Sequence, residues 1–313
     1  MNLLFTNAGR RTYLIEYALE LKNRGYDLNI FVCDTSYDTA AMNVDSSIKR
    51  FITPMVSTNE EEYLNILLEE SLKNSIDIII PLMDFELPIL SKNITKFENH
   101  QIKVWVSNHD TIMNCLNKEL NYYFCLDNNI NVPKSYFNND ITPPLIKKKI
   151  FGSGSVGLEI IKGKSQNYSF IQGEDMLQEL IVGTEYGMDI FNDYNGNYIH
   201  SCARKKILMR AGETDKASSF IDPTLENLAK EISSVFKHRG NMDIDFIRDP
   251  DGNIYFIDFN PRFGGGYPFT HLSGANYLKF IIDSHQNGEA KLPKFKKSIT
   301  GMKGLKLYYH GNK

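Results

Sequence analysis

The chain has 313 residues, 42% of them apolar and 23% charged, with a net charge of −3. That length serves two or three small domains with shared cores, and the slightly acidic balance leaves no electrostatic footprint for nucleic acid. No apolar run reaches ~18 residues, so no membrane span is expected. The start lacks a basic n-region and a cleavage site and reads as a first strand rather than a signal peptide. The cysteines at 33, 115, 125 and 202 form no Cys-x-x-Cys pair, so free thiols in a reducing cytoplasm are expected.

Residues 1 to about 110 alternate strand and helix. A strand at 2–6 leads into an amphipathic helix at 11–23, with Leu14, Ala18 and Leu21 on one stripe and Gly25 beyond its end. A strand at 28–33 closes on Asp34. A helix at 57–74, capped at Thr58 with Glu61 as capping-box partner, precedes a buried strand at 76–81. A helix at 86–97 and a strand at 104–107 follow. This order predicts a parallel, doubly wound α/β sheet.

The loop after the first strand, Thr6-Asn7-Ala8-Gly9-Arg10-Arg11, feeds a helix N-terminus able to hold an anion, with Arg10 or Arg11 assisting. It lacks Gly-x-Gly-x-x-Gly, which argues against a dinucleotide fold even though Asp34 stands at the ribose position of one. Asp84 and Glu86 follow the strand at 76–81 and serve either a ligand at the switch point or a helix cap.

Past residue 110 the pattern becomes antiparallel and α+β, which puts a boundary near 110–117. A helix over 117–128 opens at Lys118, and Val132-Pro133-Lys134 is an extended turn. Strands at 145–150 and 158–162 flank Phe151-Gly152-Ser153-Gly154-Ser155-Val156-Gly157. A strand ends the segment 175–181, strands at 185–191 and 198–203 pair, and a helix at 223–239 precedes a final hairpin.

That hairpin turns on Asp249-Pro250-Asp251-Gly252. Period-two alternation puts Asp258 and Asn260 on one face of the outgoing strand. Asp245 on the facing strand can join them at roughly 5–8 Å. Hard oxygens of this kind suit Mg²⁺ and leave its other positions to phosphate. Arg262 beside them suits a phosphoryl group that gathers charge in transfer, and the Gly264-Gly265-Gly266 that follows reads as built for a ligand. Solvated carboxylates on a surface hairpin are the bland alternative.

The glycine loop at 152–157 lets backbone amides close over phosphates, with serines as extra donors. Without Lys-Ser, and with a strand after it, it is a hairpin flap rather than a Walker motif. Lys148 on the incoming strand and Lys118 at the helix start can reach the same space. Glu179, Leu180 and Ile181 offer main-chain groups to an adenine edge, and Glu185 can accept from ribose hydroxyls.

Taken in order, Asn117-Lys118, the lysine-bearing strand with its glycine hairpin, Gln178-Glu179-x-x-x-Gly183, the acidic strand and Asp258-x-Asn260-Pro261-Arg262 resemble the ATP-grasp superfamily. The nearest likeness is to stand-alone relatives of the carbamoyl-phosphate synthase large subunit, over nearly the whole chain. The resemblance implies a pre-ATP-grasp α/β domain at 1–112 and a two-lobed ATP-grasp domain at 113–313. Its nucleotide-covering small lobe would span about 113–183, and its metal-binding lobe about 184–313.

The resemblance also implies ATP contacts from Lys118, Lys148 and the loop residues Gly152, Ser153, Gly154 and Ser155. Glu179, Leu180, Ile181 and Glu185 would hold adenine and ribose. Asp245, Asp258 and Asn260 would bind two Mg²⁺ ions, with Mn²⁺ as a substitute. Arg262 would meet the phosphoryl group in flight, and Arg204 and Arg210 would grip the substrate carboxylate or its phosphate. The sequence departs from the family in carrying Lys149 where proline is usual and aspartate at both metal carboxylates.

The implied activity is ATP-dependent carboxylate–amine or carboxylate–thiol ligation of a small anionic substrate through an acyl phosphate. It would run in the cytoplasm without nucleic acid or membrane partners, with a homodimer as the default assembly. Two other readings stay open: a phosphotransferase that releases a phosphorylated carboxylate or amide, and a non-catalytic nucleotide-binding subunit.

Overall fold

The computed structural model describes residues 1–138, 142–152, 157–163, 168–210, 212–288, 290–291 and 298–309. Five parallel strands, β1 (Asn2–Thr6), β2 (Asn29–Asp34), β3 (Lys49–Ile52), β4 (Ile78–Pro81) and β5 (Lys103–Val104), make the first sheet in the order β3-β2-β1-β4-β5. Helix α1 (Thr12–Asn23) lays Leu14, Ile15 and Ala18 against Leu3 and Phe5 on one face. Helices α2 (Glu60–Lys73) and α3 (Leu87–Lys92) cover Leu4, Phe31 and Ile79 on the other. Burial on both faces explains why β1 and β4 are apolar at successive residues rather than alternate ones.

The remaining chain builds two antiparallel sheets. β6 (Ser135–Tyr136), β7 (Leu145–Lys149), β8 (Glu159–Ile161) and β9 (Asp175–Glu179) pair in the order β6-β9-β7-β8. β10 (Thr184–Asn192), β11 (Tyr198–Arg210), β12 (Glu213–Phe220), β13 (Gly240–Arg248), β14 (Ile254–Asn260) and β15 (Thr300–Met302) pair as β14-β13-β10-β11-β12-β15. Helix α7 (Pro223–Phe236) presses Leu225, Ala229, Ile232 and Phe236 onto Met188, Ile244 and Phe246 of the larger sheet. Its start is fixed by Asp222, which accepts from the Thr224 and Leu225 amides, and by proline at the first helical position.

The two halves share one core. Helix α9 (Tyr277–Asn287) sends Tyr277, Leu278 and Ile281 into the apolar layer over β1 and α1, beside Phe263 and Tyr267. The segment that follows the acidic hairpin is therefore anchored on the first sheet. That anchoring brings the carboxyl ends of β1 and β4 up to the end of β14.

Several boundaries differ from the sequence reading, each for a local reason. Helix α2 is capped by Asn59 rather than Thr58. The Asn59 side chain accepts from the Glu62 amide at 3.0 Å and donates to the Glu62 carboxylate at 2.9 Å, while Thr58 donates back to the Met55 carbonyl. The helix expected at 86–97 is broken into a 3-10 turn at Asp84–Glu86, α3 and α4 (Ile94–Glu98). Asn93 ends α3 by donating its side chain to the Ile89 carbonyl at 2.9 Å, a local bond that competes with the helix. The strand at 198–203 runs on to Arg210, and the strand at 104–107 shrinks to two residues. Elements β3, β6, β12, β15, α5 (His109–Leu116), α8 (Tyr267–Leu272) and α9 have no counterpart in the sequence reading. All four cysteines are buried and free. Among the described residues no helix is long and apolar enough to cross a membrane.

Candidate active site

Strands β13 and β14 set Asp245 directly opposite Asp258 and Asp243 opposite Asn260. The register shifts just past the acid pair, so that Phe246 faces Phe256 and Ile257 is the extra residue of a bulge. Met242, Ile244 and Phe246 point into the core against α7, which turns Asp243, Asp245 and Ile247 to the opposite face of the sheet. Both acids are only partly covered, 27% exposed for Asp245 and 35% for Asp258. Burial, with Asp243 and Asp258 close by, pushes the Asp245 carboxyl up to about 6, although Lys206 pulls it down.

A cavity of about 230 Å³ lies between this face and the small sheet. Lys118, Lys148, Gly152, Glu179, Ile181 and Glu185 line it together with Asp245 and Asp258. Leu180 is half-buried and outside that lining. Ser153, Gly154 and Ser155 lie outside the described residues. Lys118 is positioned by the start of α6 (Lys118–Asp127), where the Asn117 side chain accepts from the Glu119 and Leu120 amides. Its ammonium donates to the Gly152 carbonyl at 3.0 Å and stands 3.7 Å from Asp258. Lys148 donates to the Gln178 side chain at 2.8 Å across β7 and β9, and burial lowers its ammonium to about 8. Lys149, where the family usually has proline, also borders the cavity, and its ammonium pairs with Asp175 at 2.8 Å.

Arg262 bridges the two halves of the molecule. Its Nε and Nη2 donate to the two Asp84 oxygens at 2.8 and 3.0 Å, and Nη2 also donates to the Asn260 side-chain oxygen at 3.1 Å. Asp84, at the carboxyl end of β4, is therefore an interdomain partner of the candidate phosphoryl-binding arginine. Glu86 is structural instead. It is fully buried and accepts from the Leu82 and Met83 amides, the Tyr63 hydroxyl and the Asn7 amide. Asp34 likewise accepts from the Gly9 amide at 3.1 Å and so pins the β1–α1 loop.

Arg204 departs most from expectation. It is 1% exposed, pairs with Asp189 at 2.7 Å and with Asp243, and lines none of the cavities described among these residues. Three strands converge on it, since Gly187 of β10 pairs in register with both Arg204 and Asp245. The glycines after Arg262 are its cover. A Cβ on Gly266 would lie 1.9 Å from the Arg204 guanidinium, and one on Gly264 would lie 1.7 Å from an Asp243 oxygen. That stretch is glycine-rich because a buried ion group fills the space a side chain would need. Arg210, six residues on, is 65% exposed and pairs with Asp215 at 3.3 Å.

Lys206 went unnoticed as a site residue. Its buried ammonium meets Glu185 at 2.5 Å and Asp245 at 2.8 Å. The signal was present: Arg204 and Lys206 sit two apart on β11, matching Asp243 and Asp245 two apart on β13. Without the strand order, that match cannot be seen.

The sequence matches the profile of the ATP-grasp domain over residues 115–266 and that of the PylC-like N-terminal domain over residues 3–105. Residues 115–266 are thus an ATP-grasp domain, with a PylC-like N-terminal domain in front. A curated relative, the 2-oxoglutarate carboxylase small subunit of Hydrogenobacter thermophilus, is 25% identical over 168 residues, which is 46% of this chain and 35% of that one. The chain thus spans about a third of that relative's length.

Similar folds occur in biotin carboxylase from Campylobacter jejuni, with a TM-score of 0.73 and 17% identity over 94% of this chain and 72% of that one. The L-amino acid ligase from Bacillus licheniformis gives 0.70 and 15% over 91% and 74%. N5-carboxyaminoimidazole ribonucleotide synthetase from Thermotoga maritima gives 0.67 and 16% over 94% and 77%. The narrower likeness to carbamoyl-phosphate synthase rests on the sequence motifs alone.

Proposed function

We propose that this chain is an ATP-dependent ligase that joins the carboxylate of a small anionic substrate to an amine or a thiol through an acyl phosphate. The observation that carries the reading is the register pairing of Asp245 with Asp258 at the floor of a cavity that Lys118, Lys148 and Gly152 also line. Names among the relatives, a ligase and a synthetase, point the same way.

The donor set fits Mg²⁺. Asp245, Asp258 and Asn260 supply hard oxygens, too few for an all-protein cage and suited to a metal that completes its shell with phosphate. Each acid already attracts a cation, Lys206 or Lys118. When bound, the metal would offset charge on the triphosphate oxygens. Asp245, Asp258 and Asn260 would hold it, with Mn²⁺ an acceptable replacement.

Lys118 and Lys148 would bind phosphate oxygens. Glu179 and the main chain through Ile181 would take the adenine edge, and Glu185 would take the ribose. A substrate carboxylate oxygen attacks the γ-phosphorus, a P–O bond forms, and the bond to the ADP oxygen breaks. Arg262, oriented by Asp84, faces the charge that gathers on the transferring group. The amine nitrogen then bonds to the acyl carbon, the C–O bond to phosphate breaks, and the amine proton leaves with the phosphate. Position and charge do the work, with no covalent enzyme intermediate.

The test is to screen acids and amines in pairs for ADP release, with hydroxylamine added to trap the acyl phosphate as a hydroxamate. Asp258→Ala and Asn260→Ala are expected to lose ADP formation while keeping the wild-type far-UV dichroism. Normal turnover in either variant would end the metal assignment. A phosphorylated product with no amine dependence would make the chain a phosphotransferase, and nucleotide binding without ADP release from any pair would make it a binding subunit.

A further inference from the structure

The largest cavity described, about 520 Å³, is not the nucleotide pocket. It opens at the N-terminus of α1, between the β1–α1 loop, the turn from β11 to β12, Gly265 and residues 303–308. Its charges do not cancel. Glu16 pairs with Lys306 at 2.6 Å, Glu213 with Lys303 at 3.4 Å and Asp215 with Arg210 at 3.3 Å. These pairs use all three acids that line the cleft and leave Arg10 and Arg11 with no ion-pair partner among the described residues. Two uncompensated guanidinium groups remain on one wall.

Arg11 is the more telling of the two. Its Nε is shut off from solvent and has no hydrogen-bond partner. Burial and the neighbouring Arg262 lower its pKa, while Asp84 and Glu213 offset this only in part. The helix it precedes has no side-chain cap at its start, and Thr12 and Tyr13 of its first turn line the cleft. A largely buried guanidinium that lines a cleft without an ion-pair partner is unfavourable unless an anion enters beside it. The proximity of Arg11 to Arg262 places this cleft next to the candidate phosphoryl-transfer site.

We infer that this cleft receives the acid substrate, and that the substrate bears a second oxyanion, a carboxylate or phosphate, held by Arg11, Arg10 and the α1 amides. The inference rests on the ligase reading for the reacting carboxylate, which Arg262 would steer. The excess of two positive charges in the cleft suits the second oxyanion, a carboxylate or a doubly charged phosphate.

Calorimetric titration of the full chain with succinate, glycerol 3-phosphate and propionate tests this. Succinate or glycerol 3-phosphate is expected to bind at least tenfold tighter than the monoanion propionate, and whichever of the two binds tighter names the oxyanion. Arg11→Met should weaken that ligand at least tenfold, and Arg10→Met, at an exposed position, by a smaller factor. Propionate binding as tightly as both dianions, or affinity unchanged in Arg11→Met, would overturn the inference. MgADP titrated into the same samples separates the two claims. Binding within twofold of wild type shows that Arg11→Met is folded. Absence of MgADP binding to the wild type would sink the nucleotide reading while leaving the oxyanion result to stand or fall by itself.

Discussion

The candidate nucleotide cavity and the α1 cleft are charged in opposite styles. Around the first, lysines and carboxylates interleave: Lys118 with Asp258, and Lys206 with both Asp245 and Glu185. Around the second, every acid is matched and two arginines are left over. A site that must take a metal and a triphosphate together needs little net charge of its own. A site for a free anion needs an excess. The same contrast separates two arginines of one kind: Arg204 is enclosed by two aspartates, whereas Arg11 is sheltered without a carboxylate in contact.

That contrast breaks most visibly in stability. Arg204→Ala strands Asp189 and Asp243 in the interior and should cost about 3–5 kcal/mol. Arg11→Met deletes an unpaired charge and should leave the ligand-free protein unchanged or more stable by about 1 kcal/mol. Urea denaturation measures both. Equal losses in the two variants would erase the distinction between a structural and a receptive arginine.

A smaller effect sharpens the nucleotide side. The Lys148 ammonium, lowered to about 8 by burial, is charged below that pH and neutral above it. MgADP affinity is therefore expected to hold between pH 7 and 8 and then fall by up to about tenfold per pH unit. Lys148→Met should bind weakly at all these values with a flat profile. A wild-type affinity that stays level to pH 9.5 would remove Lys148 from the phosphates.

The sequence made the acid hairpin readable because two rules act on it alone. The Asp249–Gly252 turn sets the pairing and the two-residue period sets the face, so Asp245 and Asp258 had to meet. The parallel sheet was readable for a similar reason, since strand and helix alternate at short range. What stayed hidden depends on strand order. Arg204 reads the same in a buried triad as on a surface, until β10 places Asp189 and Gly187 beside it. The glycines at 264 and 266 read as a ligand loop because their true neighbour, the Arg204–Asp243 pair, is distant in sequence. Asp84 was noticed, but its partner Arg262 lies 178 residues away. Helix α9 did carry a local signal, an Asn276 cap before an apolar stripe, and its packing on the first domain was the part that local pattern could not supply.

The account stands or falls on a metal-dependent nucleotide site at the paired acids. Calorimetric titration with ADP, in Mg²⁺ and again in EDTA, with wild type and Asp258→Asn, tests it directly. ADP is expected to bind the wild type in Mg²⁺ and to weaken at least tenfold both in EDTA and in the variant. Binding that ignores the metal and the substitution alike, or no binding in any condition, would contradict it.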